Sequence, residues 1–435
     1  MSRIANMDSK RPTGRAVLIE ESAASPLEVV AAEPLEVIAA APPSVGPAPY
    51  AELVSSEKPR KATNLFLRVL LAISAAISWP FGLISVVIGL AILASLPVLN
   101  LLSLGYLLES SGRIGRTGRL RDGFVGIRLA GRLGAIVFMS WLFLWPARII
   151  AGFAKSAQII DPGSQTAAAW RVGLLILICL TFIHVASACA LGGKFRHFIS
   201  PFNLIWLGVR VYQGNYYTKA RDAVWDTLVA LRLPYYFMLG FRGFIAAAAW
   251  LVIPITLLAL GSRGHSAGAS LLGFVGAFLL TIVLLYLPIL QMRVATTNRL
   301  REGFNVLAAR RDYRRAPWAF TFAFILTLLF ALPLYLLKIQ IVPREAEWLP
   351  SLVFIAFIFP ARWTTGWAMG RANRLAARRP EPRHWFFRWT GRLPLLPVAG
   401  FYVLVVYFTQ FTSWNGVWSL YEQHAFLVPV PFFSM

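Results

Sequence analysis

Charge is what this chain has least of. Only 14% of its 435 residues are Asp, Glu, Lys or Arg, against ~25% in soluble domains. So little charge cannot cover a water-soluble globule. Acids are the scarcer sign, 19 against 42 bases, and eight of them lie in residues 1–64. The other 11, Glu109, Asp122, Asp161, Asp222, Asp226, Glu302, Asp312, Glu345, Glu347, Glu381 and Glu422, are all placed in loops or at the ends of apolar runs. A proton or sodium relay ordinarily needs a carboxylate deep in the membrane, so the pattern argues against ion-coupled transport.

Cysteine is nearly missing too. Cys179 and Cys189 stand ten residues apart in one expected helix, ~15 Å along its axis. A disulfide closes only ~7 Å between Cα atoms, so both read as small buried hydrophobes. Catalytic signatures are absent as well: no His-Glu-x-x-His, no Gly-x-Ser-x-Gly, no phosphate-cradling Gly-x4-Gly-Lys-[Ser/Thr], no metal-ligand spacing. Asp122-Gly123 begins like the Asp-Gly-x-x-Ala-Arg core of phosphotransferases that use cytidine-diphosphate alcohols, but Gly126 and Ile127 stand where Ala and Arg are required. No catalytic residue, metal or cofactor is therefore expected. The first residues carry no apolar h-region, so no signal peptide is expected either.

What the chain does have is apolar length. Apolar residues make up 57% and gather in runs of about 18 to 25, the length that crosses a bilayer. The expected fold is all-α: a polytopic membrane bundle of about eight or nine helices behind a disordered tail. Residues 1–64 hold the tail, with seven bases against eight acids. Ala, Pro, Glu and Val dominate it, and Pro26-Leu-Glu-Val-Val-Ala-Ala recurs as Pro34-Leu-Glu-Val-Ile-Ala-Ala. No helix or strand periodicity survives those prolines.

The membrane domain is read as 65–412. Its first part, 65–104, is a helical hairpin broken at Trp79-Pro80-Phe81-Gly82, with arms 65–79 and 83–104 and both ends cytoplasmic. Further spans fall near 133–153, 172–191, 242–260, 268–290, 317–337, 351–369 and 395–412. An external tail, 413–435, places Trp414, Trp418 and Tyr421 as an interfacial belt. Loops at 105–132, 192–241, 291–316 and 370–393 then carry 6, 6, 7 and 7 Lys/Arg, while 154–171, 261–267, 338–350 and the tail carry 2, 1, 2 and 0. Short basic loops stay in the cytoplasm, which sets the N-terminus inside and the C-terminus outside a bacterial inner membrane. Within 192–241, Val224, Leu228 and Leu231 share one helical face, the mark of an amphipathic helix lying on the cytoplasmic surface.

The +23 net charge therefore speaks for topology and not for nucleic acid. The expected partner is the bilayer, through its anionic lipids, with a membrane-protein partner or a second copy of the chain also possible. The candidate headgroup ligands are Arg113, Arg116, Arg119 and Arg121, in a Gly/Arg stretch whose guanidinium groups suit phosphate. Three ionisable residues fall inside expected spans, Arg148, His184 and Arg362. Charge there is expensive and is a functional candidate by default, although snorkelling suits the arginines and a helix–helix hydrogen bond suits His184.

Two echoes remain. Arg119-Leu-Arg-Asp-Gly-Phe124 returns as Arg299-Leu-Arg-Glu-Gly-Phe304, as a parallel internal duplication would make it. Pro146-Ala-Arg148 returns as Pro360-Ala-Arg362, but in spans of opposite direction, and reads as coincidence. Finally, Pro97-Val-Leu-Asn100 followed by Gly105-Tyr106-Leu resembles the Pro-x-Leu-Asn…Gly-Tyr-Leu signature of a family of uncharacterised bacterial polytopic membrane proteins. The resemblance covers about a dozen residues and implies only a bacterial inner-membrane setting. The leading functional expectation is a non-enzymatic protein, permease-like or a membrane scaffold. A lipid-modifying membrane enzyme is the alternative.

Overall fold

The computed structural model describes residues 65–424 except 265, 338–347, 380, 382, 414, 415 and 423. The tail 1–64, Trp414 and 425–435 lie outside the described residues.

The described chain is helical throughout: α1 (Leu65–Ser95), α2 (Asn100–Thr117), α3 (Ile127–Ile160), α4 (Gln165–Ala190), α5 (Phe195–Ile199), α6 (Asn203–Tyr212), α7 (Tyr216–Leu231), α8 (Leu233–Arg263), α9 (Ala267–Thr297), α10 (Val306–Arg315), α11 (Pro317–Leu337), α12 (Trp348–Arg378), α13 (Trp385–Arg392), α14 (Leu395–Thr412) and α15 (Ser419–Glu422). Seven helical segments are long and apolar enough to cross a membrane, or eight if α10 and α11, bent by 108°, make one broken span. The large apolar side chains on α3 and α4 are mostly exposed, which in water would be ruinous and in hydrocarbon costs nothing. This is an all-helical, multi-pass membrane protein.

Two expectations need correction. The chain does double back early, but not at Trp79–Gly82. Helix α1 runs unbroken through Pro80, since neighbouring groups in a membrane can satisfy the carbonyl a proline frees. The reversal comes at residues 96–99, beside Pro97 and with Val98 in the left-handed region at φ 67°. Ser103 on the returning helix then donates to Leu90 O at 2.7 Å.

The second correction concerns the returning helix. Residues 105–117 of the expected 105–132 loop are helix, the greater part of α2, and most of that stretch is buried against neighbouring helices. It crosses α8 at Gly105 and Gly240, where a Cβ on either would collide with the other helix's backbone. Glu109, expected in a loop, sits in this helix at 3% exposure.

Around α2 pack α8, α9 and α12, with α1 beside them. The pair α3–α4 lies against α1, and short α5 is wedged between them through Phe198, which is fully buried with Ala188 and Met139. Helix α7 is present but buries no residue. It is a strut. Tyr216 at its start donates to Ala190 O at the end of α4 (2.7 Å), and Arg232 and Leu233 lead straight into α8, where Pro234 sits in the first turn as its fixed φ favours.

Candidate functional site

The C-terminal ends of α2, α9 and α12 and the start of α8 meet at one end of the bundle. Arginines fasten them there. Arg116 Nη1 donates to Ala295 O (3.0 Å), Arg374 Nη1 to Gly118 O (2.7 Å), and Arg242 Nη1 to Asn298 O (2.9 Å) and Oδ1 (2.7 Å). A helix C-terminus carries partial negative charge and carbonyls without helical partners, so cations belong there.

The acids of this end are spent inside it. Glu109 Oε1 accepts from Arg113 Nε (2.8 Å) and Arg116 Nη2 (2.9 Å), and its Oε2 accepts from Tyr235 Oη (2.7 Å). Three donors, two of them charged, are what allow a carboxylate to be 3% exposed without a ruinous desolvation cost. In a second cluster Arg293 donates through Nε to Glu302 Oε2 (3.0 Å) and through Nη1 to Asp312 Oδ2 (2.6 Å). Arg293 holds the Glu302 carboxyl below the usual carboxylate range.

The hexapeptide echo proves to be one structure built twice. In each copy a helix ends in a left-handed cap, Gly118 (φ 71°, ψ 10°) and Asn298 (φ 56°, ψ 30°), whose N–H reaches back to Ile114 O (2.7 Å) and Val294 O (2.8 Å). An extended arginine follows, Arg119 (φ −111°, ψ 122°) and Arg299 (φ −121°, ψ 124°), then a 3-10 turn over Leu120–Gly123 and Leu300–Phe304. The match reaches upstream of the hexapeptide. Thr117 Oγ1 donates to Arg113 O (3.0 Å) as Thr297 Oγ1 does to Arg293 O (2.8 Å).

A tryptophan locks each turn. Trp250 Nε1 donates to Gly303 O (2.9 Å) directly. Trp363 Nε1 donates to Ser110 Oγ (2.7 Å), which donates to Gly123 O (2.6 Å). Trp250 lies on α8, which leaves this end of the bundle, and Trp363 on α12, which enters it. The likeness therefore covers the helix end and its loop, not the whole surrounding bundle.

The four headgroup candidates divide. Half-buried Arg113 pairs with Glu109, and Arg116, itself exposed, pairs with Glu109 and the Ala295 carbonyl. Arg119 and Arg121 are exposed too, and Arg121 forms a long ion pair with its neighbour Asp122, at 3.9 Å. Sequence reasoning passed over Glu109, yet the Glu109-Arg113-Arg116 spacing of four and seven was its signal: on a helix those side chains share a face.

The intramembrane candidates lie apart from one another. Arg148 is exposed on α3. His184 Nε2 donates to Phe198 O of α5 at 2.8 Å, with its ring against Phe143. Arg362 is 4% exposed in the bundle interior, where its Nη1 donates to Gln291 Oε1 at 2.7 Å. Helix α12 runs on for 16 residues beyond it to Arg378, ~24 Å at the helical rise, so this guanidinium does not snorkel to that end.

Among the described residues no three His, Cys, Asp or Glu side chains come together in a way that could hold a metal ion. Set against models of known protein families, curated proteins and solved structures, the chain matches none.

Proposed function

We propose that this protein is a non-enzymatic membrane component, a scaffold or permease-like bundle, whose basic end engages the anionic headgroups of a bacterial inner membrane. One observation carries the reading. The buried acids of that end, Glu109 and Asp312, and the partly buried Glu302 are committed to internal ion pairs, while Arg119, Arg121, Arg299 and Arg301 are left exposed on its loops. The excess charge therefore points outward, where each arginine near an anionic surface gains about 1 kcal/mol. In this reading the basic end and the N-terminus are cytoplasmic and the C-terminus is external, as short Lys/Arg-rich loops require.

The test is retention of lipid by the purified protein in nanodiscs of mixed phosphatidylglycerol and phosphatidylcholine, counted by native mass spectrometry. The anionic lipid is expected to be enriched over its share of the mixture. Retention in proportion to the mixture would refute the reading.

A further inference from the structure

One groove in the bundle lies away from the arginine loops. It holds about 610 Å³ between α8, α9 and α14, toward the end where α8 gives way to α9. That volume falls in the range of ligand-binding clefts. Small residues open it. A Cβ on Gly261 of α8 would strike the backbone of Gly273 on α9, so the two helices meet closely at its base. Gly400 leaves the third wall, on α14, bare, and a Cβ there would meet nothing within 4 Å. The outward side stays open beside Phe274 and Phe278, both mostly exposed.

The walls suit hydrocarbon. Ser262 Oγ donates to Ala259 O (2.9 Å), Thr281 Oγ1 to Ala277 O (2.9 Å) and Ser270 Oγ to Ser266 O (3.4 Å). These hydroxyls turn back to their own helices, so a polar occupant would lose hydrogen bonds on entry. The length narrows the choice further. On α9 the groove runs from Ser270, near the helix start, to Thr281, ~16 Å at the helical rise. That is about half of a ~30 Å hydrocarbon core. Past it, Leu284 and Leu287 are fully buried. A partner helix crossing the membrane would need the whole depth, whereas one acyl chain hanging from a single leaflet fits the half.

Charge completes the match. Arg263 stands at the rim, between Ser262 and Gly264, which both line the groove. It is exposed and makes no ion pair among the described residues. The Trp418 ring lies 5.9 Å from its guanidinium, and that planar fork of N–H donors suits a phosphate.

We propose that this groove binds a single anionic phospholipid of the leaflet farther from the arginine loops. One acyl chain lies along α9 and the phosphate sits on Arg263. The site is separate from headgroup binding at the basic end and does not rest on it.

The experiment uses full-length purified protein in detergent and phosphatidylglycerol or phosphatidylcholine carrying a photoreactive diazirine in one acyl chain. Adducts are mapped by mass spectrometry, and the signal is saturable labelling of residues 270–281. Gly400→Leu and, separately, Ser270→Leu fill the groove at its two ends and should each weaken phosphatidylglycerol by about tenfold. Gly173→Leu on α4, where a Cβ also meets nothing within 4 Å, should label as wild type does. Arg263→Gln should reduce the preference for phosphatidylglycerol about fivefold and leave phosphatidylcholine labelling unchanged; Arg263→Lys should keep most of it. An unchanged melting temperature confirms that each variant is folded.

Labelling of 270–281 that does not saturate, or that both groove variants leave intact, would overturn the site. So would equal half-saturation of wild type by the two lipids. A wild-type dimer by light scattering that dissociates in Gly400→Leu, without saturable lipid adducts, would assign the groove to a second copy and equally overturn it. Lipid held at the basic end labels other residues, so the two proposals fail separately.

Discussion

Gly118 and Asn298 cap two different helices in the same left-handed conformation, 180 residues apart, with the same backbone hydrogen bond beneath them. A side chain with a Cβ normally resists that conformation at a cost of about 1–2 kcal/mol, and Asn is the usual exception after Gly. The second copy thus shows what the first tolerates. Gly118→Asn should cost less stability than Gly118→Ala, by at least ~0.5 kcal/mol on this account, in thermal unfolding of the detergent-solubilised protein. Equal melting temperatures would deny that the two caps are equivalent.

Glu109 is the acid on which α2 depends. Removing one partner from a buried ion pair costs about 3–5 kcal/mol because the other charges are left uncompensated. Glu109→Gln should therefore lower stability far more than Asp122→Asn, whose carboxylate makes only a long contact with Arg121. Unfolding midpoints of the two variants against wild type decide it.

Glu302 gives a pH signature with a fixed sign. Arg293 depresses its folded carboxyl pKa, so the ion pair's contribution is complete above the unfolded value near 4.3. It is lost as pH falls through the lower folded value. The stability gap between wild type and Glu302→Gln should be constant from pH 7 to 5 and close below pH 4. A gap that does not narrow at all on acidification would contradict the assignment.

Arg362 and Gln291 should behave as one unit. The pair joins α12 to α9 inside the bundle, and residues in direct contact couple by about 0.5–3 kcal/mol. Arg362→Leu and Gln291→Leu should each destabilise, and the double variant should cost less than their sum. Strict additivity would mean the hydrogen bond contributes nothing.

The membrane helices were legible in the sequence because hydrocarbon demands about 20 apolar residues per crossing. The expected 317–337 and 395–412 coincide with α11 and α14, and 133–153, 242–260, 268–290 and 351–369 fall inside longer helices, while 172–191 runs one residue past α4 and the arm 83–104 crosses the reversal at 96–99. Helix α2 was not legible for the same reason. It is covered by protein and not by lipid, so Ser103, Glu109, Ser110 and Ser111 can be buried in it, and hydropathy registers it as loop. Pro80 misled because a proline that would break a helix in water is tolerated inside a membrane bundle. The Arg-Leu-Arg-[Asp/Glu]-Gly-Phe echo was visible as letters. That it extends to the caps and the threonines before them was not, since Gly118 and Asn298 share a backbone conformation and not a side chain.

The account stands or falls on both arginine loops lying on the cytoplasmic side. The direct measurement is labelling of single cysteines by a membrane-impermeant maleimide, with Cys179 and Cys189 first replaced by alanine. Arg121→Cys and Arg301→Cys should react only after the cells are permeabilised, and Gly268→Cys, exposed in the first turn of α9 at the opposite end with open space for a side chain, should react in intact cells. Labelling of Arg121→Cys or Arg301→Cys in intact cells would contradict it.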